Sequence, residues 1–342
     1  MNSTEPARRW PAYVIREPGP AALVELTEAD LPPGDVTVEI SHSSLNFKDG
    51  LAVTGKGRIA RRLPMVCGID LAGTVAASDS PDWSVGDDVI VTGHGLSETE
   101  QGAYTARQRV QSGWLVRRPE TLTAEQAMGI GTAGLTAMMC ILRLEEAGVV
   151  PGGGPVVVTG AGGGVGSVAV AILAKLGYEV EAVTGRSETH DYLSALGAAA
   201  IVDRAQLAEP GKPLQAERWA AAVDTVAGVT LANVLSQIRY GGSVAACGLA
   251  SGNDLPTTIL PFILRGVNLL GVDSVMAPMP VRIEAWRRLG TDLPAPALAE
   301  ISRVEPFSAV PALAEDILAG RIRGRVVIDI AAESGTTDSS TD

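Results

Sequence analysis

Apolar and polar residues change their period once along this chain, near Thr123. Before that point the pattern favours strands. Val36-Thr-Val-Glu-Ile40 alternates apolar and polar side chains, as a strand with one buried face must. Pro11–Leu23 and Asp35–Ser43 read as strands, after a polar lead-in up to Trp10. Val85–Val91 reads as a turn entering a buried strand, and Gly102–Ala106 and Gly113–Val116 as short strands. Gly68 and Gly73 permit turns or close backbone contact. A β-rich, barrel-like first part is expected. After Thr123 the spacing turns helical. Ala124–Met128 and Gly134–Ala147 suit helices. Strands then alternate with helices: Val156–Val158, Glu179–Thr184, Ala200–Val202, Ala221–Asp224 and Gly242–Ala246 are separated by helical patterns at Ser167–Leu176, Asp191–Leu196 and Leu231–Ile238. That alternation predicts βαβ units on a parallel sheet. Leu269–Asp273 reads as a last strand, Pro280–Arg288 as a helix and Gly324–Ile330 as a returning strand. The fold class is α/β: a doubly wound parallel sheet joined to a barrel-type domain.

The apolar run Val156–Val158 ends in Thr159-Gly-Ala-Gly-Gly-Gly-Val-Gly166. Strand, glycine-dense turn and helix together form the context that a dinucleotide fingerprint requires. The glycines let the backbone approach a pyrophosphate, and the helix N-terminus offers it N–H groups. No Lys-Ser or Lys-Thr follows the last glycine, so the turn is not a Walker A loop. At the end of the second strand an Asp or Glu would bind the ribose of NAD. This chain has Thr184-Gly-Arg-Ser187. Arg186 can pair with a 2′-phosphate, with the Thr184 and Ser187 hydroxyls as further donors. Arg204, after Ala200–Val202, adds charge at the same end. NADPH is expected over NADH.

The 342 residues allow two domains, each with its own core. A net charge of −12 argues against nucleic acid as the main partner. The three cysteines, Cys67, Cys140 and Cys247, lie far apart and match neither a disulfide framework nor a zinc ribbon. The polar N-terminus lacks a signal core, and no apolar run reads as long enough to span a bilayer. A cytoplasmic location is expected.

Several segments together resemble the medium-chain dehydrogenase/reductase superfamily, in its zinc-free quinone-oxidoreductase-like branch. More narrowly, they resemble the acrylyl-CoA reductase (NADPH) group. They are Ser43-Ser-Leu-Asn-Phe-Lys-Asp-Gly50, Thr54-Gly-Lys-Gly57, Gly68-Ile-Asp-Leu-Ala-Gly-Thr74, Gly131-Thr-Ala-Gly134, the glycine turn, Tyr240-Gly-Gly242, Ala246-Cys-Gly-Leu-Ala250, Leu255-Pro-Thr-Thr258, Pro261-Phe-Ile-Leu-Arg265 and Gly271-Val-Asp-Ser-Val-Met276. The resemblance implies a GroES-like catalytic domain in two segments, residues 1–128 and 268–331, around a Rossmann NADPH domain at 129–267. A disordered tail is expected at 332–342. It implies cofactor contacts from Phe47, Thr132, Gly162, Gly163, Gly164, Val165, Thr184, Gly185, Arg186, Arg204, Leu249, Ile263 and Ser274. It implies a homodimer, Asn46 and Asp70 as the polar catalytic pair, and reduction of acrylyl-CoA to propionyl-CoA. NADPH:quinone oxidoreductase and a non-catalytic NADPH sensor stay open as alternatives. The family usually has Tyr at Phe47 and commonly Ser at Gly162.

Zinc-dependent relatives carry a Gly-His-Glu segment where this chain has Gly68-Ile69-Asp70, and Ile69 cannot ligate a metal. No metal is expected. A metal-free site suits an activated alkene, where hydride at the β-carbon of an enoyl thioester places charge on the thioester oxygen. Asn46 is expected to donate to that charge, and Asp70 to orient Asn46 or a water or, if protonated, to relay a proton. Lys48 is a third candidate donor. Lys56, Arg58, Arg61 and Arg62 gather four positive charges in one loop, suited to the phosphates of coenzyme A.

Overall fold

The computed structural model describes residues 8–331; the tail expected at 332–342 lies outside them. In chain order the first elements are β1 (Trp10–Ile15), β2 (Ala22–Leu26), β3 (Val36–Leu45), α1 (Phe47–Thr54), β4 (Met65–Val66), β5 (Asp70–Ser78), β6 (Asp88–Thr92), β7 (Arg107–Val110), β8 (Val116–Arg117) and α2 (Ala124–Glu146). Next come β9 (Val156–Val158), α3 (Gly164–Lys175), β10 (Val180–Thr184), α4 (His190–Ala195), β11 (Ala200–Asp203), β12 (Trp219–Asp224), α5 (Gly228–Gln237), β13 (Ile238–Ala246), α6 (Leu260–Arg265) and β14 (Asn268–Gly271). The last are α7 (Met279–Asp292), α8 (Ala295–Ile301), β15 (Ser302–Pro306), α9 (Val310–Leu318) and β16 (Arg325–Asp329). They form two compact units. Within the described residues the first comprises 8–132, 275–283 and 302–331, and the second comprises 133–274 and 284–301.

The first unit is built on β3. Its sheet runs β15-β16-β3-β5-β6-β8, and β7 pairs with β3 as well. One long strand serves three partners because its two ends are shared out. Val36–Glu39 pairs with β7, and His42–Leu45 pairs with β16. Register shifts against β5 at Thr37/Val38 and Ile40/His42 bend the strand between those uses. Val36, Val38 and Ile40 are buried, as the alternation predicts, and pack with Leu71, Val89 and Val91. Phe307 closes this core, its ring 4.8 Å from Tyr13 and 6.4 Å from Tyr104. A second, antiparallel sheet runs β2-β1-β4. Helix α1 meets α9 at Gly50, where a Cβ would lie 2.6 Å from the Ile317 side chain.

Two short strands expected here differ. Gly102–Ala106 is a close-packed connection, because successive N–H groups at Gly102, Ala103 and Tyr104 go to the Val66, Gly68 and Cys67 carbonyls instead of to one regular ladder. The strand begins at Arg107. Ser112–Trp114 turns as a 3₁₀ helix, since the Asp35 carboxylate accepts both the Ser112 N–H and hydroxyl at 2.6 Å. The strand there starts only at Val116.

The second unit is a six-stranded parallel sheet in the order β11-β10-β9-β12-β13-β14. Chain order reverses between β9 and β12, which makes their C-terminal ends the topological switch point where such sheets bind ligands. Helix α3 is buried from Gly166 to Leu173, matching its uniformly apolar sequence. The segment expected to return as one piece at 268–331 is divided. β14 pairs with β13, and 284–301 belongs with the second unit, where α8 packs on α3.

Helix α2 corrects one expectation. Its 23 residues are long and apolar enough to cross a bilayer by length and composition. However, 83% of its most apolar window is buried inside the protein, as in a core helix.

Candidate active site

In the first unit, five segments bring polar groups together. They are the end of β3, the start of α1, the start of β5, the bend in α2 and the start of β16. Asp70 is fully buried and gathers the donors. It accepts from Ser44 Oγ at 2.5 Å, Asn46 Nδ2 at 2.9 Å and Thr132 N at 2.9 Å, and also from the Thr132 hydroxyl. Arg325, 3% exposed, donates to Asn46 Oδ1 at 3.1 Å, Ser44 Oγ at 2.9 Å, the Leu45 carbonyl at 2.9 Å and the Gly129 carbonyl at 3.2 Å. Asp49 completes the cluster. Its Oδ2 accepts from Asn46 N at 2.9 Å and Asn46 Nδ2 at 3.1 Å.

Gly131 explains how a helix takes part. It has φ 52° and ψ −160°, which bends α2. Backbone groups on either side then turn outward: the Gly129 carbonyl meets Arg325, and the Thr132 N–H meets Asp70. A Cβ at Gly131 would lie 2.6–2.8 Å from Arg325, Asp70 and Ser44, so only glycine fits.

Burial, and then the charge of Asp70, push the Asp49 carboxyl up to about 7, against the opposing Asn46 hydrogen bonds and Arg325. Its Oδ1 is buried without a partner among the described residues. Because Oδ2 carries the accepted bonds, Oδ1 is the natural seat of the proton. With Asp49 neutral, Asp70 and Arg325 balance. Burial likewise pushes the Tyr104 hydroxyl and the Cys67 thiol up, so both stay neutral.

Asn46 is 8% exposed, and both of its amide protons face acceptors within the cluster. The structure therefore joins Asn46, Asp70 and Thr132, while Phe47 projects beside them, 48% exposed. Sequence reasoning missed Asp49 and Arg325. Asp49 had a signal: Asn46-Phe-Lys-Asp49 has the spacing of a helix N-cap with a carboxylate reaching back. Arg325 had only its place at the head of an apolar strand.

In the second unit, Gly162 and Gly163 lie in the turn between β9 and α3, and Gly164 and Val165 open α3. Arg186 Nη2 donates to the Gly162 carbonyl at 3.2 Å, and its backbone N–H donates to Thr184 Oγ1 at 3.1 Å. A Cβ on Gly162 would lie 2.9 Å from that guanidinium, so a serine there would have to displace it. Arg204 lies against Gly185 in the same way, its Nε 2.8 Å from a Cβ built there. Two guanidiniums thus border the ends of β10 and β11, where a 2′-phosphate needs them. Ser274 Oγ accepts from Thr136 Oγ1 at 2.7 Å. Leu249 and Ile263 are each 65% exposed. The residues fit a phosphorylated dinucleotide.

Family models cover most of the chain. The alcohol dehydrogenase GroES-like domain matches residues 32–152, and the zinc-binding dehydrogenase model matches residues 164–289. Acrylyl-CoA reductase AcuI of Ruegeria pomeroyi is 52% identical over 313 residues, covering 91% of this chain and 95% of the relative. The chain belongs to the medium-chain dehydrogenase/reductase superfamily, in its acrylyl-CoA reductase group. Two solved relatives share its form. The yhdH oxidoreductase of Salmonella enterica in complex with NADP has a TM-score of 0.92 and 49% identity over 94% of this chain and 100% of that one. Bacillus subtilis yhfP with NAD bound has a TM-score of 0.91 and 41% identity, over 94% and 100%.

The superfamily's zinc chemistry finds no donor set here. Ile69 is a buried apolar side chain, and among the described residues no three His, Cys, Asp or Glu groups are placed to hold a metal. The basic loop is paired with acids: Lys56 with Glu315, Arg61 with Glu98, Arg62 with Glu100. Lys48 also pairs with Glu98, at 3.1 Å.

Replacing Arg325 with alanine leaves Asp70 buried without its counter-charge. Arg325→Ala should lower stability at pH 7 by about 3–5 kcal/mol, read by urea unfolding. A loss below about 1 kcal/mol would show that the pair does not hold the site.

Proposed function

We propose that this chain reduces the activated C=C bond of a short enoyl-CoA with NADPH, acrylyl-CoA to propionyl-CoA foremost, without a metal. The observation that carries the reading is the 52% identity to acrylyl-CoA reductase across nearly the whole chain. Arg186, just after β10 where an NAD site would carry its ribose-binding carboxylate, and Arg204, whose guanidinium lies against Gly185, support NADPH over NADH. NADPH, when bound, supplies hydride to the β-carbon of the thioester.

The chain's own groups must then meet the charge that grows on the thioester oxygen. Asn46 keeps 8% exposure where Ser44, Asp49 and Asp70 keep none, and its amide carries N–H donors, so we assign it as the donor. Donation requires one amide proton to leave Asp49 or Asp70. Asp70 holds the amide at its nitrogen and Arg325 at its oxygen, and both act as positioning residues. The proton on Asp49 keeps the cluster free of net negative charge, so that it does not repel the forming enolate.

Lys56, Arg58, Arg61 and Arg62 suit the coenzyme A phosphates. The side chains of Lys56, Arg61 and Arg62 are 56–64% exposed. Pairs this exposed hold by about 0–1 kcal/mol, so a phosphate can displace the carboxylates. Two further assignments belong to this reading. A homodimer is supported by β14, which ends the sheet with Leu269 exposed, and by the exposed Ile259 and Ile263; light scattering should give twice the 35.3 kDa of one chain, and a monomer would refute it. A cytoplasmic location is supported by three unbridged cysteines, and a periplasmic fraction holding the protein would refute it.

A second reading, quinone reduction, is favoured by the 44% identity to the putative quinone oxidoreductase YhfP of Bacillus subtilis. Oxidation of NADPH followed with acrylyl-CoA, crotonyl-CoA and a benzoquinone separates the two readings. Acrylyl-CoA should be turned over fastest, and turnover of the quinone alone would reverse the assignment. No turnover of any of them would leave the sensor reading. Arg61→Ala/Arg62→Ala should raise KM for acrylyl-CoA about tenfold and leave a small quinone unaffected. Arg186→Ala should raise KM for NADPH by ~10–100-fold with little change for NADH; equal effects on both would remove Arg186 from the 2′-phosphate.

A further inference from the structure

Asp224 is a fully buried carboxylate that the proposed reaction does not use. It ends β12, next to β9 at the switch point. Its carboxylate oxygens are matched by neutral donors. Thr159 Oγ1 donates to Oδ1 at 2.7 Å, and the Ala227 N–H donates to Oδ2 at 2.8 Å. Thr159 opens the glycine turn. Ala227 holds φ 62°, a conformation that L-residues rarely adopt, and its bond to Asp224 helps to keep it there. Thr225 locks the same two turns in the other direction. Its N–H donates to Thr159 Oγ1 and its hydroxyl to the Thr159 carbonyl, both at 3.0 Å. The Asp224 carbonyl also accepts the Cys247 N–H at 2.9 Å, which ties in the end of β13.

We propose that Asp224 and Thr159 are a positioning pair that presets the Thr159–Gly163 turn to receive the cofactor's pyrophosphate. Glycine turns are permissive, so a turn that must present N–H groups to a ligand needs bracing from outside. Thr159 supplies that brace through a hydroxyl that both accepts from Thr225 and donates to Asp224. The proposal rests on the NADPH reading above, and the test separates the two.

Dissociation constants should be measured by calorimetry for two ligands, NADPH and adenosine 2′-monophosphate. The second carries the 2′-phosphate and lacks the pyrophosphate. Thr159→Val keeps the shape and removes the hydroxyl. It should weaken NADPH about tenfold, the order of one lost charge-assisted hydrogen bond, and leave adenosine 2′-monophosphate within about twofold. Thr159→Ser should restore NADPH binding. Gly163→Ala, whose Cβ would sit a tight 3.3 Å from the Gly160 carbonyl and so press on the turn's own backbone, tests the turn itself and should also weaken NADPH alone. If Gly163→Ala weakens NADPH and Thr159→Val does not, the brace is refuted and the turn stands. Equal loss of both ligands in Thr159→Val makes Thr159 merely structural and overturns the proposal. If Gly163→Ala has no effect, the pyrophosphate lies elsewhere and both readings fail.

Discussion

The first unit depends on placing two carboxylates and one guanidinium out of water at the end of one strand. Burying a charge costs several kcal/mol unless it is paired and hydrogen-bonded. Asp70 meets that condition through Ser44, Asn46 and Thr132, with Arg325 as counter-ion. Asp49 accepts from Asn46 alone among the described residues, and burial pushes its carboxyl up to about 7. One carboxylate, one guanidinium that reaches it through Ser44 and Asn46, and one neutral acid make a cluster without net charge. Such a cluster can sit beside a developing enolate where two carboxylates could not.

Several features of the fold follow from that requirement. β3 is long enough to hand its last residues to the cluster after pairing with three strands. α2 must break at Gly131, because an unbroken helix would keep the Gly129 carbonyl and the Thr132 N–H for itself. β16 returns from far along the chain to deliver Arg325. In the second unit, neutral donors rather than a counter-charge surround the buried Asp224.

The two units were legible to different degrees. The strand–turn–helix at Val156–Leu176 and the alternation after it follow from local period and composition. The β-rich part was harder. Gly102–Ala106 has strand-forming residues, and the bonds to Val66, Cys67 and Gly68 that replace a regular ladder are a long-range fact. The short helices α6, α8 and α9 and strand β15 carry too few residues to show a clear period. Asn46 and Asp70 became candidates only through family resemblance. Geometry adds that Asn46 is held by its neighbours. Asp49 was concealed because Asn-x-x-Asp is an ordinary helix start. Arg325 was concealed because nothing local distinguishes a buried arginine from an exposed one.

The neutral state of Asp49 is open to direct observation. A carbon-13 NMR titration of aspartate carboxyls, in the native enzyme and in Asp49→Asn, reads it. Asparagine mimics the protonated acid, so the fold should survive. The folded protein keeps a proton that the unfolded chain releases above its ordinary value of 3.8, so this group's contribution to stability falls as pH rises to about 7 and is level beyond. The account predicts one carboxyl titrating near pH 7 that is missing from Asp49→Asn. A spectrum in which every aspartate has ionised by about pH 5 would contradict it.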